Sequence, residues 1–208
     1  MRCLRRHWYT LGLLIAIIVL AWGLMSDLTK VQWILLLNFV ALPLHQFEEF
    51  PWIYNEVVAQ SGGPPERYPL NQNSALFINL TAWPFCFAPV LFPDQRSLGL
   101  AMALFALGQL VYHGVVTNRK FKSLYNPGLA LVVLAQVPLG VWYLTEIYSK
   151  RTVTLAEWGG AVVYLGSYMG VVMQLIGFRL LAAKDSPYPF TPAEMERFDR
   201  RGNLARLR

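Results

Sequence analysis

Polar residues divide the chain into six apolar stretches, roughly Trp8 to Met25, Val31 to Phe50, Ser74 to Phe92, Leu98 to Val116, Pro127 to Tyr148 and Trp158 to Ala183. Each is close to the roughly 20 residues that a helix needs to cross the hydrocarbon core of a bilayer. The pattern predicts an all-α membrane protein, a six-transmembrane-helix bundle over residues 1–184 followed by a basic tail over 185–208. In the tail, Thr191-Pro192-Ala193-Glu194 reads as a helix start, with threonine as cap and glutamate reaching back to it. Met195 and Phe198 fall on one side of that short helix with Arg197, Arg200 and Arg201 around it, an arrangement suited to anionic headgroups; a solvated tail is the alternative.

Composition agrees with the pattern. The chain has 208 residues, 55% of them hydrophobic and 14% charged, against roughly 25% charged in an ordinary soluble domain. The net charge of +6 raises nucleic acid as a partner, but the positions of the basic residues decide otherwise. With a cytoplasmic amino terminus, 14 of the 18 basic residues fall on the inner side, leaving Lys30, Arg96, Lys150 and Arg151 outside. That asymmetry predicts both termini in the cytoplasm and a chain in the plasma membrane. Nucleic-acid binding drops out, because the positive residues lack the interleaved aromatic platform it uses. The cysteines, Cys3 and Cys86, form no paired motif. The first segment resembles a signal peptide, but Trp22 between Ala21 and Gly23 spoils a small-x-small cleavage site, so it reads as an uncleaved anchor.

Against this apolar background the informative residues are polar. Segment two ends in His45-Gln46-Phe47-Glu48-Glu49-Phe50-Pro51. At about 100° per residue, His45, Glu48 and Glu49 project within roughly a 100° arc of one helix, a face able to bind a cation. Asn38 lies about two turns deeper on nearly the same stripe. Two glutamates in the last turn of a helix meet free carbonyls of like sign, which is unfavourable by some tenths of a kcal/mol each, up to about 1. A metal ion, shared protons, or Arg119 and Lys120 would offset them. Pro43, one turn earlier, is expected to bend the helix toward a cavity. The plainer alternative is an interfacial helix end whose carboxylates reach headgroup water.

Segment four supplies the second set. Gln109, His113 and Thr117 repeat every four residues and so lie along one stripe, followed by Asn118, Arg119 and the loop Tyr125-Asn126-Pro127-Gly128. Segments two and four run in the same direction, which predicts His113 at nearly the depth of His45. Asn71, Asn73 and Asn79 bring segment three to the same level. Asn38, Asn118 and Asn126 are candidates to orient a ligand, with helix capping the competing role of the last two. Gly166 and Gly170 suggest close helix packing, Ser167 and Gln174 a cavity lining, and Trp8, Trp142, Tyr143 and Tyr148 interface anchors.

The string His45-x-x-Glu48-Glu49, with Pro51, the membrane His113 and the Tyr125-Asn126-Pro127-Gly128 loop after it, resembles the HXXEE-domain family of small multi-pass membrane proteins over roughly residues 35 to 180. The resemblance implies a membrane protein whose His and Glu residues form an active or metal site; it supplies no reaction. Two imidazoles and two carboxylates suit one zinc, iron or manganese ion with an open position, or alternatively two bridged ions. The expected ligands are His45, Glu49 and His113 with Glu48 as general base, the two glutamates being nearly interchangeable at this stage. A multi-histidine di-iron site is excluded, since the chain has 3 histidines and His7 belongs to the basic flank. The favoured function is a metal-dependent integral-membrane enzyme, a hydrolase or isomerase, acting on a lipid or small apolar substrate. A proton- or cation-coupled transporter and a non-catalytic partner subunit are the alternatives, and a homo-oligomer is open. Transport is disfavoured because the polar groups gather in one half of the bilayer and a conduit needs both.

Overall fold

The computed structural model describes residues 2–49 and 71–181, so the loop following Pro51 and the tail with its expected Thr191 helix lie outside the described residues. Within them all regular structure is helical. The helices are α1 (Arg2–Leu24), α2 (Lys30–Glu49), α3 (Gln72–Leu91), α4 (residues 96–121), α5 (Leu129–Lys150) and α6 (Leu155–Leu180). Each of the six apolar stretches thus falls on one helix. Two helices begin earlier than hydropathy suggests because polar residues cap them. Asn71 accepts from the amides of Asn73 and Ser74 at the start of α3, and Thr154 forms a reciprocal capping box with Glu157 at the start of α6.

Five of the helices are long and apolar enough to cross a membrane: α1, α3, α4, α5 and α6. The exception, α2, is 20 residues long but diluted by Asn38, His45, Gln46 and its terminal glutamates. Its neighbours explain why it tolerates them. Helix α2 packs against α1, α3 and α5, and ten of its residues are buried, so its polar side chains face protein. It runs through the buried Pro43, whose ring lies against Gly12 of α1. The core around it joins Leu35, Phe39 and Leu42 to Phe85 of α3, Leu100 and Met102 of α4, and Tyr143 and Ile147 of α5.

Helix α6 changes partners along its length. Its first half, Leu155–Gly166, packs along α4, where Gly160 sits against Ser97 and the Ser97 hydroxyl donates to the Glu157 carbonyl at 2.9 Å. Its second half, Ser167–Leu180, packs on α3 instead. The Tyr164 and Tyr168 hydroxyls donate to the carbonyls of Phe85 and Ile78 at 2.9 and 2.8 Å, and both rings stack on Phe85. Beyond them Gly177 meets Ile78, and the Asn71 amide closes on the Leu181 carbonyl at 2.7 Å. This half is wound in wide π-helical turns, as are Tyr112–Thr117 of α4 and Val132–Gln136 of α5. At the opposite end of the bundle from His45, ion pairs tie Glu146 to Lys30 and Lys150, and Arg151 to Glu157.

Several side chains stand elsewhere than expected. Trp8 and Tyr143 are buried core residues, 1% and 2% exposed, because α1 folds back on α2 and the Tyr143 ring fills the space that Gly99 leaves open; Trp142 and Tyr148 are exposed. Gly166 and Gly170 have nothing within 4 Å of an added Cβ, so they are not the sites of close packing within the chain; Gly99, Gly160 and Gly177 are. Ser167 turns its hydroxyl back to the Tyr164 carbonyl, leaving Gln174 as the one of that pair on the cavity.

The contrast between glycines is testable. Gly99→Ala drives a Cβ into the Tyr143 ring and is expected to cost about 1–3 kcal/mol of overpacking. Gly108→Ala, with open space around it, is expected to leave stability unchanged or slightly raised. Thermal unfolding of the purified variants in detergent separates the two.

Candidate metal centre

His45 lies in the last turns of α2 and His113 in the π-wound part of α4, and both are buried, 1% and 0% exposed. Their rings are perpendicular, with centroids 5.0 Å apart. The depth match expected from the two helix directions is therefore met in space. Glu49, one turn after His45, places Oε2 3.7 Å from His45 Nε2 and Oε1 3.7 Å from His113 Nε2. One ligand atom from each of the three residues fits within 4.8 Å of the others.

What fixes the rings is the loop between α4 and α5. His45 Nδ1–H donates to the Gly128 carbonyl at 3.0 Å. The Asn126 amide donates to the His113 carbonyl at 2.7 Å and to Asn118 Oδ1 at 2.8 Å, so its own Oδ1 must face the ring, 2.6 Å from His113 Nδ1. Asn118 is anchored in turn on the Gly114 and Leu124 carbonyls at 3.3 and 3.0 Å. Both ring Nδ1 atoms meet oxygens that can only accept, so both must donate. In the neutral rings the Nε2 atoms then carry bare lone pairs directed toward Glu49.

With both rings neutral, the cluster brings together acceptors, two Nε2 atoms and a carboxylate, at 3.7 Å, too long for hydrogen bonds. Among the described residues His45 Nε2 is buried without a hydrogen-bond partner. Acceptors brought together in a low-dielectric interior repel unless something positive lies between them. Two imidazoles and a carboxylate, with each Nδ1 tied to an oxygen, form a donor set found at both zinc and non-haem iron centres.

Gly128 makes this convergence possible. Its φ of +94° lies in the left-handed region, and a Cβ there would come within 2.7 Å of Cε1 of both histidines. The loop backbone lies against the Cε1 edges of both rings, which a side chain would displace.

Glu48 takes a different direction from the one its helical angle suggested. Its Oε1 accepts from the Tyr125 hydroxyl at 2.7 Å and its Oε2 from the Leu131 backbone N–H at 3.0 Å. Leu131 is in the first turn of α5, whose N-cap position is the side-chain-less Gly128. Glu48 therefore caps α5 from another helix, and the positive end of that helix offsets its charge. The exposed Arg119 forms no ion pair with either glutamate, and the side chain of Lys120 lies outside the described residues. Asn38 is buried deeper in the bundle and does not line the cavity at Glu49; Asn118 and Asn126 hold His113 and do not face it either. Sequence reasoning missed the close approach of Gly128 to both rings, the cap made by Glu48, and a network in which Trp83 donates to Gln46 at 2.8 Å while Gln46 donates to the Asn79 carbonyl at 3.2 Å.

The class is thus an all-helical bundle of membrane-spanning type with a buried His/Glu cluster. A family model described as a protein of unknown function with HXXEE motif matches residues 36–143, over half of the chain, and the chain belongs to this family. The match runs from α2 into α5, shorter than the stretch to residue 180 that the resemblance suggested, and leaves α1 and α6 outside. No curated protein and no solved structure matches. The motif residues divide the work: His45 and Glu49, four apart on one face, meet His113, while Glu48 braces the helix that carries Gly128.

Two expectations follow. Glu48→Gln keeps an acceptor for Leu131 and loses only the charge on the helix end, about 0.3–1 kcal/mol, whereas Glu48→Ala removes the cap and costs about 0.5–2 kcal/mol; denaturation of the two variants in detergent gives the order. Gly128→Ala displaces both imidazoles and should abolish zinc binding in a titration, even though it adds a single carbon.

Proposed function

We propose that the protein is a membrane-embedded, metal-dependent enzyme that acts on a lipid or small apolar substrate by hydrolytic or acid/base chemistry. The observation that carries this reading is the convergence of two fixed Nε2 lone pairs and one carboxylate at the edge of a cavity of about 580 Å³. His45, His113 and Glu49 are the proposed ligands, and zinc, iron or manganese the suited ions. A bound ion of this kind supplies a Lewis acid that lowers the pKa of a bound water toward about 7.

The chain's own residues do the rest. Gly128 and Asn126 hold the imidazoles in the tautomer that turns Nε2 toward Glu49. Glu49 is the one carboxylate among the described residues in the cluster and lies on the cavity wall. It is therefore assigned both a ligand role and, through its second oxygen, acceptance of a proton from a nucleophile in the cavity. Glu48, occupied by Tyr125 and Leu131, is assigned a positioning role in place of the general base. Toward the middle of the bundle the cavity is lined by apolar side chains, Leu42, Ala82, Leu104 and Leu165, which supports chemistry at its polar end over passage of ions across the bundle. The bias of the basic residues supports assigning this end to the cytoplasmic side of a plasma-membrane protein with both termini inside.

Element analysis tests the reading. Purified protein is expected to carry about one divalent ion per chain, Glu48→Gln to keep it, and the His45→Ala, His113→Ala double variant to lose it. Equal metal content in wild type and double variant would overturn the proposal. In a lipid-substrate screen, Glu49→Gln is expected to lose activity by far more than Glu48→Gln.

A further inference from the structure

The cavity has walls from four helices, and among the described residues one wall is incomplete. Helices α4 and α6 pack together over Arg96–Val111 and Leu155–Gly166, but from Ser167 onward α6 leans onto α3. Its tethers to Phe85, Ile78 and Asn71 hold it there. The two helices therefore diverge in the half of the bundle that contains His45, and the cavity lies in the angle between them, with α2 and α3 behind it. On the diverging edges the small and flexible residues are exposed: Gly108 on α4 and Met169 on α6 both line the cavity, and Gly108 has nothing within 4 Å of an added Cβ. We assign this edge to the acyl-chain region on the ground that α4 and α6 are both helices of membrane-spanning length and hydropathy.

The cavity is also graded along its length. Glu49 and His45 mark one end, with Asn79 and Gln109 near them, and the other end is apolar. From Tyr112 to Leu104, eight residues at 1.5 Å each, it extends about 12 Å along the helix axis toward the middle of the bundle. Its 580 Å³ hold about 20 non-hydrogen atoms if each takes roughly the 30 Å³ of a liquid water. That is the size of one long alkyl chain with a small head, and far below a two-chain phospholipid. Glu49 disfavours an anionic head, and a cationic head would compete for the place of the metal ion.

We infer that the cavity takes a single-chain amphiphile with a small uncharged, oxygen-bearing head. It enters sideways from the membrane between α4 and α6, and lies with its head at Glu49 and its chain along Leu104, Phe105, Met169 and Met173. This names the substrate class for the site proposed above, and the reactivity of the bound head rests on that reading. The entry path and the chain-binding wall do not.

Hexadecanol carrying a mid-chain diazirine, photolysed with the full-length protein in nanodiscs and mapped by peptide mass spectrometry, tests the inference. Label is expected on cavity residues of α4 and α6 in excess over the lipid-facing Leu134 and Val163, which are 76% and 71% exposed. Gly108→Phe places an aromatic ring in the open space and is expected to lower cavity labelling by at least about tenfold, a shift of about 1.4 kcal/mol, with Gly108→Leu intermediate and metal content unchanged in both. The His45→Ala, His113→Ala variant is expected to lose metal and keep the label. Labelling spread evenly over lipid-facing residues, or insensitive to both Gly108 substitutions in variants that melt like wild type, would overturn the inference. Absence of metal from wild type with cavity labelling intact would instead overturn the metal-centre reading alone.

Discussion

The Nδ1–H of His45 donates to the Gly128 carbonyl and that of His113 to the Asn126 side chain, and the geometry of the site follows from these two bonds. An imidazole packed in a bundle can turn either nitrogen toward its neighbours. Here the loop between α4 and α5 takes one nitrogen of each ring and leaves the other pointing at Glu49. Because the acceptors on the loop are a backbone carbonyl and an amide whose NH₂ is already spent on two oxygens, the choice of tautomer does not depend on what occupies the site. The rings are set before any ligand arrives, which removes an ordering cost from binding.

Much of this was legible in the residues. Six apolar stretches gave six helices, and the parallel run of α2 and α4 brought His45 and His113 together. The four-residue spacing of His45 and Glu49 put them on one face. The angle of Glu48 on the helical wheel was misleading for a physical reason. A wheel sees one helix, whereas the first turn of α5 lacks a side-chain cap and offers its amides to the nearest carboxylate, which is Glu48. Tyr143 was misread for a related reason, since a tyrosine near a segment end suits an interface equally well until the bare backbone of Gly99 is found opposite it. The loop Tyr125-Asn126-Pro127-Gly128 stood out in the sequence, but nothing local said that its glycine would lie against two rings.

The opening between α4 and α6 has its own origin in sequence. At one end Gly160 and Ser97 let the two backbones approach; at the other, Gly177 and the tyrosines Tyr164 and Tyr168 draw α6 to α3. Small residues thus decide where helices touch, in keeping with packing in lipid, where burial of apolar surface drives little association. The wide turns of α6 lie in the part that has left α4, and those of α4 carry His113. Looser winding and the site share one end of the bundle, while the ion pairs of Glu146 and Glu157 lie at the other.

The brace that Glu48 forms on Leu131 bears on how the chain is assembled. Synthesis runs from the amino terminus, so both imidazoles and both acids are made before Asn126, Gly128 and the fifth helix exist. Until that helix is in place its first turn lacks a cap, Glu48 lacks its amide partner, and neither histidine has the oxygen that selects its tautomer. A nascent chain with four helices inserted therefore holds His45, Glu49 and His113 without the means to aim them, and the cluster takes its geometry only with the turn that starts the fifth.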